Sequence, residues 1–189
     1  MAPHLQRDST CVGQVRDDHQ QEGMTRIIVR RLLAVPGVHR ILDVGCGDGY
    51  AMELFQAAGK ECVGVTLNAA GVDACLKRGL SAVRGDAHDL DSIFCREFDL
   101  VYCRQSVEHF YSPFLALVAM NRVLRYDKFL FVSLPDESWI EADDHLYVLN
   151  FRQMTTLLHK TGFRPVLLWE DRYMALVDRC FLSRKVREP

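Results

Sequence analysis

The stretch Ile41–Gly49 constrains the fold more than any other part of this 189-residue chain. A short apolar run predicts a buried strand, which leads directly into a loop that has glycine at positions 45, 47 and 49. An amphipathic helix is predicted next, with its end at Gly59. A strand, a glycine loop and a helix in this order form the entrance of a nucleotide-binding βαβ unit, because glycine lets a ligand approach the backbone closely.

The spacing of the glycines distinguishes two classes of cofactor. A dinucleotide-binding loop has Gly-x-Gly-x-x-Gly, but here Tyr50 takes the third glycine position and Gly49 comes one residue early. An acid, Asp43, also lies two residues before the first glycine. This combination resembles the first motif of the class I S-adenosylmethionine-dependent methyltransferases, in which the loop wraps the methionine end of the cofactor and the acid lies near its amino group. The cofactor-binding residues that this resemblance implies are Asp43, Gly45, Cys46, Gly47 and Gly49.

Two further segments resemble the same family at the ends of the next strands. Asp86 and Ala87 follow the third predicted strand, and the resemblance implies that Asp86 accepts a bond from the adenine amino group while the Ala87 N–H contacts the ring. After the second strand the family usually has an acid for the ribose, whereas this chain has Thr66, Leu67 and Asn68. The sequence Gly-Val-Thr-Leu at residues 64–67 resembles the branch of the family that contains cyclopropane-fatty-acid synthases. A hydroxyl or an amide can still hydrogen-bond a ribose diol.

The fourth predicted strand and the loop after it resemble the family's fourth motif. The resemblance implies that backbone atoms of Cys103 and Arg104 face the cofactor, and that His109 occupies a position where many small-molecule members carry histidine. The segment 143–147, Asp-Asp-His-Leu-Tyr, resembles a further signature of those members. Since each motif alone could be a strand-end turn, the interpretation depends on several motifs occurring in register.

Strand and helix patterns alternate along the chain, as expected for an α/β protein. We expect one doubly wound, mostly parallel seven-stranded sheet with an antiparallel C-terminal edge strand. Capping signals mark two helix starts, at Ser112 before Pro113 and at Asn150. Residues 126–128, Tyr-Asp-Lys, replace the family's usual Pro-Gly-Gly and predict an altered turn. The predicted strands cover residues 41–44, 61–67, 81–84, 98–103, 129–134, 164–169 and 174–182.

Composition places the chain among globular proteins and bears on its partners. The polar residues 1–22 predict an N-terminal arm or lid, and residues 23–189 one methyltransferase domain. A net charge of −2 gives no general attraction to nucleic acid or to an anionic membrane, so we expect neither as a partner. The seven cysteines include no Cys-x-x-Cys pair, which favours reduced thiols and a cytoplasmic location. Oligomeric state is left open.

Catalysis by this family transfers a methyl group to an acceptor, here expected to be a small molecule methylated at oxygen or nitrogen. If the acceptor is a hydroxyl, His145 and His109 are the candidate bases, because imidazole titrates near neutral pH. Either histidine could instead be an ordinary loop residue. Asp143, Asp144 and His145 could also hold Mg²⁺ with Glu108 or His109, although the expectation here is no metal.

Two other classes of function stay open at this point. One is a methyltransferase that acts on protein or nucleic acid, which is disfavoured because the chain has no basic, aromatic-rich tract. The other is a non-catalytic relative that keeps the fold as a binding module. The missing ribose acid and the altered Pro-Gly-Gly turn keep this second possibility open. Calorimetric measurement of cofactor binding separates it from both kinds of methyltransferase.

Overall fold

The computed structural model describes residues 18–136 and 144–189, and Asp143 therefore lies outside the described residues. The helices are α1 Asp18–Leu33, α2 Tyr50–Ala57, α3 Ala69–Lys77, α4 Leu90–Ile93, α5 Pro113–Val123 and α6 Phe151–Lys160, with a 3₁₀ helix at Val107–His109. The strands are β1 Arg40–Val44, β2 Glu61–Thr66, β3 Ser81–Arg84, β4 Phe98–Arg104, β5 Leu124–Pro135, β6 Phe163–Tyr173 and β7 Leu176–Lys185.

The described strands form one seven-stranded sheet in the order β3-β2-β1-β4-β5-β7-β6. Strands β1 to β5 pair in parallel, and β7 runs antiparallel to both β5 and β6. The predicted fold class is therefore confirmed, with the antiparallel β7/β6 pair at one edge and β6 as the outermost strand. The strand order reverses next to β1, where β4 pairs on its other side, and ligands of such sheets bind beyond the carboxyl ends of the strands.

Helices cover both faces of the sheet, as a doubly wound fold requires. One face packs on α1, α2 and α3 through a buried cluster that includes Met24, Phe55 and Cys75. The other face packs on α4, α5 and α6 through a second cluster that includes Leu117 and Leu158. Side chains along β4 alternate between these two clusters, so neighbouring residues at its carboxyl end face opposite layers.

Local sequence signals account for the helix starts beside the site. The Ser112 hydroxyl accepts a bond from the Leu115 N–H, and Pro113 is the first residue of α5. Asn150 and Gln153 form the reciprocal bonds of a capping box at the start of α6. Both predicted capping signals are confirmed.

Strand β5 differs from the prediction because it begins at Leu124 and not at residue 129. Phe98 pairs with Leu124 and Leu100 with Phe129, so two steps along β4 match five along β5. The three extra residues form a bulge within the strand, where Asp127 has φ +59°. The residues that replace Pro-Gly-Gly are thus accommodated without ending the strand.

The N-terminal part of the chain is only partly described. Helix α1 begins at Asp18, so residues 18–22 of the predicted arm are helical. The division at residue 22 stays a prediction. Across the described ranges, no helix has both the length and the apolar character needed to cross a membrane. The six described cysteines are free thiols, and Cys11 lies outside this part of the chain.

Candidate active site

A cavity of about 300 Å³ lies at the carboxyl ends of β1 and β4. Residues of the glycine loop and of α1 both border it. This position is the one where an open α/β sheet binds its ligand. The lining residues come from α1, from β1, from the glycine loop and α2, and from β4: Gln21, Glu22, Thr25, Asp43, Gly45, Cys46, Asp48, Tyr50, Ala51, Tyr102 and Arg104.

The three glycines of the loop have different surroundings. A Cβ on Gly45 would lie 2.2 Å from the Ser106 hydroxyl, and one on Gly49 would lie 2.5 Å from Leu80. These two glycines are therefore needed for packing within the protein. A Cβ on Gly47 would meet no atom of the described chain within 4 Å, although its φ is +55°. The open space beside Gly47 is available to a ligand.

Asp43 is buried at the end of β1, only 3% exposed. It pairs in register with Gly64 of β2 and with Tyr102 of β4. Burial raises the pKa of the Asp43 carboxyl to about 7, because water no longer solvates its charged form. A cationic group placed against Asp43 would favour that charged form.

The raised pKa of Asp43 makes a prediction about stability. An unfolded chain ionises Asp43 near pH 4, whereas the folded chain keeps the proton up to about pH 7. The native state therefore holds more protons between these values, and the free energy of unfolding falls as pH rises through this interval. Asp43→Asn removes the ionisation, so we expect the ligand-free variant to be more stable than the parent at pH 8 by up to about 4 kcal/mol.

Urea unfolding of parent and variant at pH 4.5 and at pH 8 measures this difference. The stability gain should shrink towards zero at the lower pH, where the parent's Asp43 is protonated in the folded state. A gain of the same size at both pH values would contradict the assigned cause.

The three predicted ribose residues lie together at the carboxyl end of β2, but two of them already accept hydrogen bonds from the backbone. Asn68 is the N-cap of α3, and its side-chain oxygen accepts from the Ala70 N–H at 2.9 Å. The Thr66 hydroxyl oxygen accepts from the Asn68 N–H at 3.2 Å. Leu67 is 58% exposed beside them. This edge therefore offers a hydroxyl hydrogen, an amide NH₂ group and an apolar side chain to a ligand.

Asp86 lies at the end of β3 and is held by its neighbour His88. Its Oδ1 accepts from the His88 N–H at 2.9 Å and from His88 Nδ1 at 2.5 Å. The His88 Nε2 accepts from the Ser112 N–H, so the ring hydrogen is on Nδ1. The His88 ring also stacks on Tyr111 at a centroid distance of 3.8 Å. Ala87, between them, is buried at 7% exposure. Neither Asp86 nor Ala87 is among the described residues that line the cavity at β1 and β4.

At the end of β4, the two predicted residues point to opposite faces. Cys103 is fully buried, and burial raises the pKa of its thiol well above the ordinary value. Arg104 lies in the cavity wall, where its Nε donates to Asp178 Oδ2 at 2.8 Å. Burial alone would lower the pKa of Arg104, but the Asp178 carboxylate raises it overall. The Arg104 guanidinium also donates to Gln21 and Thr25, which ties α1 to the sheet.

The two candidate bases lie side by side on the loops beyond β4 and β5. The His109 and His145 rings are 4.9 Å apart, edge to face. His109 Nδ1 donates to the Asp144 carbonyl at 2.8 Å, and this bond leaves Nε2 as the acceptor atom of the ring. The backbone oxygen of Glu108 accepts from the Leu146 N–H at 2.8 Å and so joins the two loops.

Glu108 also belongs to a group of side chains that could hold a metal ion. Ligand atoms of Glu108, His109 and His145 all lie within 4.8 Å of one another, and Glu108 is buried. A carboxylate and two imidazoles suit a divalent transition metal better than Mg²⁺. All three of these residues were named as possible Mg²⁺ ligands from the sequence. Asp144 does not belong to the group, and Asp143 lies outside the described residues.

A second cavity, of about 520 Å³, lies beside these loops between the starts of α5 and α6. Its lining is mainly apolar, and it includes Tyr147, whose hydroxyl donates to the Tyr111 carbonyl at 3.0 Å. The remaining lining residues are Ser112, Pro113, Phe114, Leu149, Arg152, Gln153, Thr156 and Leu157.

Comparisons with known proteins bear on the family to which the chain belongs. Residues 42–132 match the family described as the methyltransferase domain. The chain is 31% identical over 106 residues to a ubiquinone biosynthesis O-methyltransferase of Hahella chejuensis, covering 53% of this chain and 44% of that protein. It is 29% identical over 164 residues to the O-methyltransferase rstn1 of Aspergillus nomiae, covering 77% of this chain and 72% of that protein.

The fold agrees as well. A crystal structure of a SAM-dependent methyltransferase from Archaeoglobus fulgidus superposes with a TM-score of 0.75 at 20% identity, covering 87% of this chain and 94% of that one. The chain belongs to the class I S-adenosylmethionine-dependent methyltransferases. Both the family and its cofactor, predicted from the sequence, are confirmed. The chain spans less than half the length of the Hahella protein, so that protein's substrate does not transfer to it.

The cavity of this methyltransferase fits S-adenosylmethionine on structural grounds. Gly47 leaves open space between Cys46 and Asp48, two residues that line the cavity, and the buried acid Asp43 lines it as well. The Tyr102 hydroxyl is buried in the cavity wall without a hydrogen-bond partner in the described chain, as expected of a group that meets a ligand.

Several residues of the site have no signal in the sequence. Gln21 and Thr25, which line the cavity, and Asp178, which does not, all accept hydrogen bonds from Arg104, and they are 74 to 83 residues away from it along the chain. His88 follows Asp86 by two residues, a spacing typical of an Asx turn. This pattern is a local sequence signal for the hydrogen bond between the His88 N–H and the Asp86 carboxylate.

Proposed function

We propose that this methyltransferase transfers the methyl group of S-adenosylmethionine to a small-molecule acceptor, at oxygen or nitrogen. The observation that carries the proposal is the pair of imidazoles on the loops beyond β4 and β5. His109 has a defined tautomer with Nε2 available, and His145 packs against it. Two adjacent imidazoles suit an acceptor whose proton must be removed.

In this proposal the glycine loop and the strand ends hold the cofactor. Asp43, Gly45, Cys46, Gly47 and Gly49 surround its methionine end, and the backbone of Cys103 and Arg104 faces it from β4. The ribose lies against Thr66, Leu67 and Asn68, and the adenine against Asp86 and Ala87. Each group is at the carboxyl edge of its strand, which is the edge where the cavity opens.

The chemistry is an in-line displacement at the methyl group that S-adenosylmethionine carries as a sulfonium. The protein's contribution is largely alignment, which can supply on the order of 7–11 kcal/mol of the barrier. His109 Nε2 takes the proton of an acceptor hydroxyl or amine. The Asp144 carbonyl at 2.8 Å from Nδ1 fixes the ring during this transfer.

A small acceptor is supported by the surroundings of the histidines. The mainly apolar second cavity adjoins their loops, and Tyr147 and Leu149 of its wall follow His145 closely in the chain. Among the described residues that line this cavity, Arg152 is the one cation, and one cation does not form a basic groove of the kind that binds nucleic acid. Both relatives named above are O-methyltransferases.

A binding module without catalysis is the second candidate, and the β2 edge favours it. The side-chain oxygens of Asn68 and Thr66 already accept backbone hydrogen bonds at the start of α3, and the end of β2 has no acidic residue for the ribose. Such a module would bind the cofactor weakly or bind another ligand. Calorimetric titration with S-adenosylmethionine tests this directly, since an active methyltransferase must bind it.

Methyl transfer is tested by incubating the purified chain with S-adenosylmethionine and panels of phenols, carboxylic acids and amines. We expect the mass of one compound class to rise by one methyl group, with formation of S-adenosylhomocysteine. The His109→Ala variant is the matched control for background methylation. Cofactor binding without any product across all three panels would contradict a small-molecule O- or N-methyltransferase.

A further inference from the structure

The hydroxyl of Tyr102 is a polar group that packing does not explain. Tyr102 is 2% exposed, and no residue in the described ranges hydrogen-bonds its hydroxyl. Its ring is fixed edge-on to Phe55 at 5.5 Å and stacked on Phe131 at 5.3 Å. Phenylalanine would make the same ring contacts without burying an unpaired hydroxyl. The hydroxyl therefore requires a partner from the cavity that Tyr102 lines.

The groups around Tyr102 present opposite charges on one wall of this cavity. Asp43 is its register neighbour on β1, and paired residues of parallel strands project to the same face. Arg104 is two residues further along β4 and so projects to that face too. One side of the wall thus carries an acid and the other a guanidinium, an arrangement that matches the ammonium and carboxylate of an amino acid.

Arg104 keeps a donor for such a ligand despite its protein contacts. Its Nε and Nη2 donate to Asp178, and Nη2 also donates to Gln21. Nη1 carries two hydrogens, of which Thr25 accepts one at 3.2 Å. The second Nη1–H is therefore the donor of the Arg104 guanidinium that remains for a ligand.

We propose that the Tyr102 hydroxyl and this second Nη1–H of Arg104 bind the α-carboxylate of the cofactor's methionine end. The inference rests on the cofactor binding proposed above and adds two side chains to it, since only backbone atoms of this strand end were implied by the family resemblance. Both groups are donors, and a carboxylate accepts both. Asp43 then lies towards the ammonium on the same carbon.

Tyr102→Phe tests this subsite because it removes the hydroxyl and keeps the ring between Phe55 and Phe131. Calorimetric affinities are measured for S-adenosylmethionine and for decarboxylated S-adenosylmethionine, which differ only in the carboxylate. We expect the variant to lose about 10- to 100-fold in affinity for the first ligand and less than about twofold for the second. Tyr126→Phe, which removes a hydroxyl on β5 outside the cavity lining, should change neither affinity.

The other outcomes overturn the inference in distinguishable ways. Equal losses for both ligands would mean that Tyr102 acts on the shape of the cavity, and unchanged affinity for S-adenosylmethionine would mean that its hydroxyl meets water. In both cases cofactor binding itself would stand. A parent protein that binds neither ligand would instead overturn the proposed function, and the subsite with it.

Discussion

The Gly47→Val variant is expected to lose at least about 100-fold in affinity for S-adenosylmethionine, equivalent to about 3 kcal/mol. The position combines a left-handed φ of +55° with open space beyond its Cα, between two residues that line the cavity. An isopropyl group there fills the space proposed for the cofactor, and the loop cannot yield because Gly45 and Gly49 are packed against Ser106 and Leu80.

Gly59→Val is the matched control for the strain that valine brings. Gly59 also has a left-handed φ, +75°, and a Cβ there would meet no described atom within 4 Å. It lies in the turn between α2 and β2, away from the cavity. Both variants should lose about 1–2 kcal/mol of folding stability from the backbone conformation, but only Gly47→Val should lose the cofactor.

Calorimetry for binding and urea unfolding for stability separate the two effects. A Gly47→Val protein that binds normally would show that the cofactor does not occupy the glycine loop. Equal loss of affinity in both variants would attribute the effect to general destabilisation. Either result would contradict the role assigned to this loop.

The fold class could be predicted from the sequence because the signals for its helices and strands are local. The apolar run before Gly45, the capping residues Ser112 and Asn150, and the alternation of strands with helices each depend on neighbours within a few residues. The packing of helices on both faces follows from parallel pairing, whereas the strand order is seen only in the structure.

The side-chain network of the site could not be predicted in the same way. Arg104 and Asp178 are 74 residues apart, and His109 and Asp144 are 35 apart. Such pairs depend on which strands become neighbours and on where each loop ends. The sequence therefore identified Arg104 as a backbone position, whereas the structure shows its side chain fastening α1 over the cavity.

Asn68 shows a different limit of sequence reasoning. Its place after β2 favoured a ribose contact, yet an asparagine just before an apolar helical pattern is also a strong N-cap signal. The structure uses the side-chain oxygen as the cap, and the amide nitrogen is the part left for a ligand. Asn68 thus matched both a ribose-binding pattern and a helix-capping pattern, and only the structure shows that its side-chain oxygen caps α3.

Removal of the His109 imidazole should lower turnover by about 10²–10⁴-fold, the contribution that a general base typically makes. The prediction names His109 because the Asp144 carbonyl holds its Nδ1 hydrogen, so that Nε2 is set as the proton acceptor. His145→Ala should have a smaller effect, because it removes the ring that packs against His109 at 4.9 Å. Cofactor affinity should stay within about twofold of the parent in both variants, since neither ring lines the cofactor cavity.

Turnover is measured across pH 5 to 9 with an acceptor identified by the mass assay, and His159→Ala, which removes an exposed imidazole on α6, is the matched control. A general base gives the parent's pH profile an acid limb, and His109→Ala should lose that limb along with its rate. If a metal ion held by Glu108, His109 and His145 activates the acceptor instead, a chelator should abolish turnover of the parent and Glu108→Gln should be as inactive as His109→Ala. Full turnover and an unchanged pH profile in both histidine variants would exclude a catalytic role for the pair, and alignment would then be the whole of what the protein contributes.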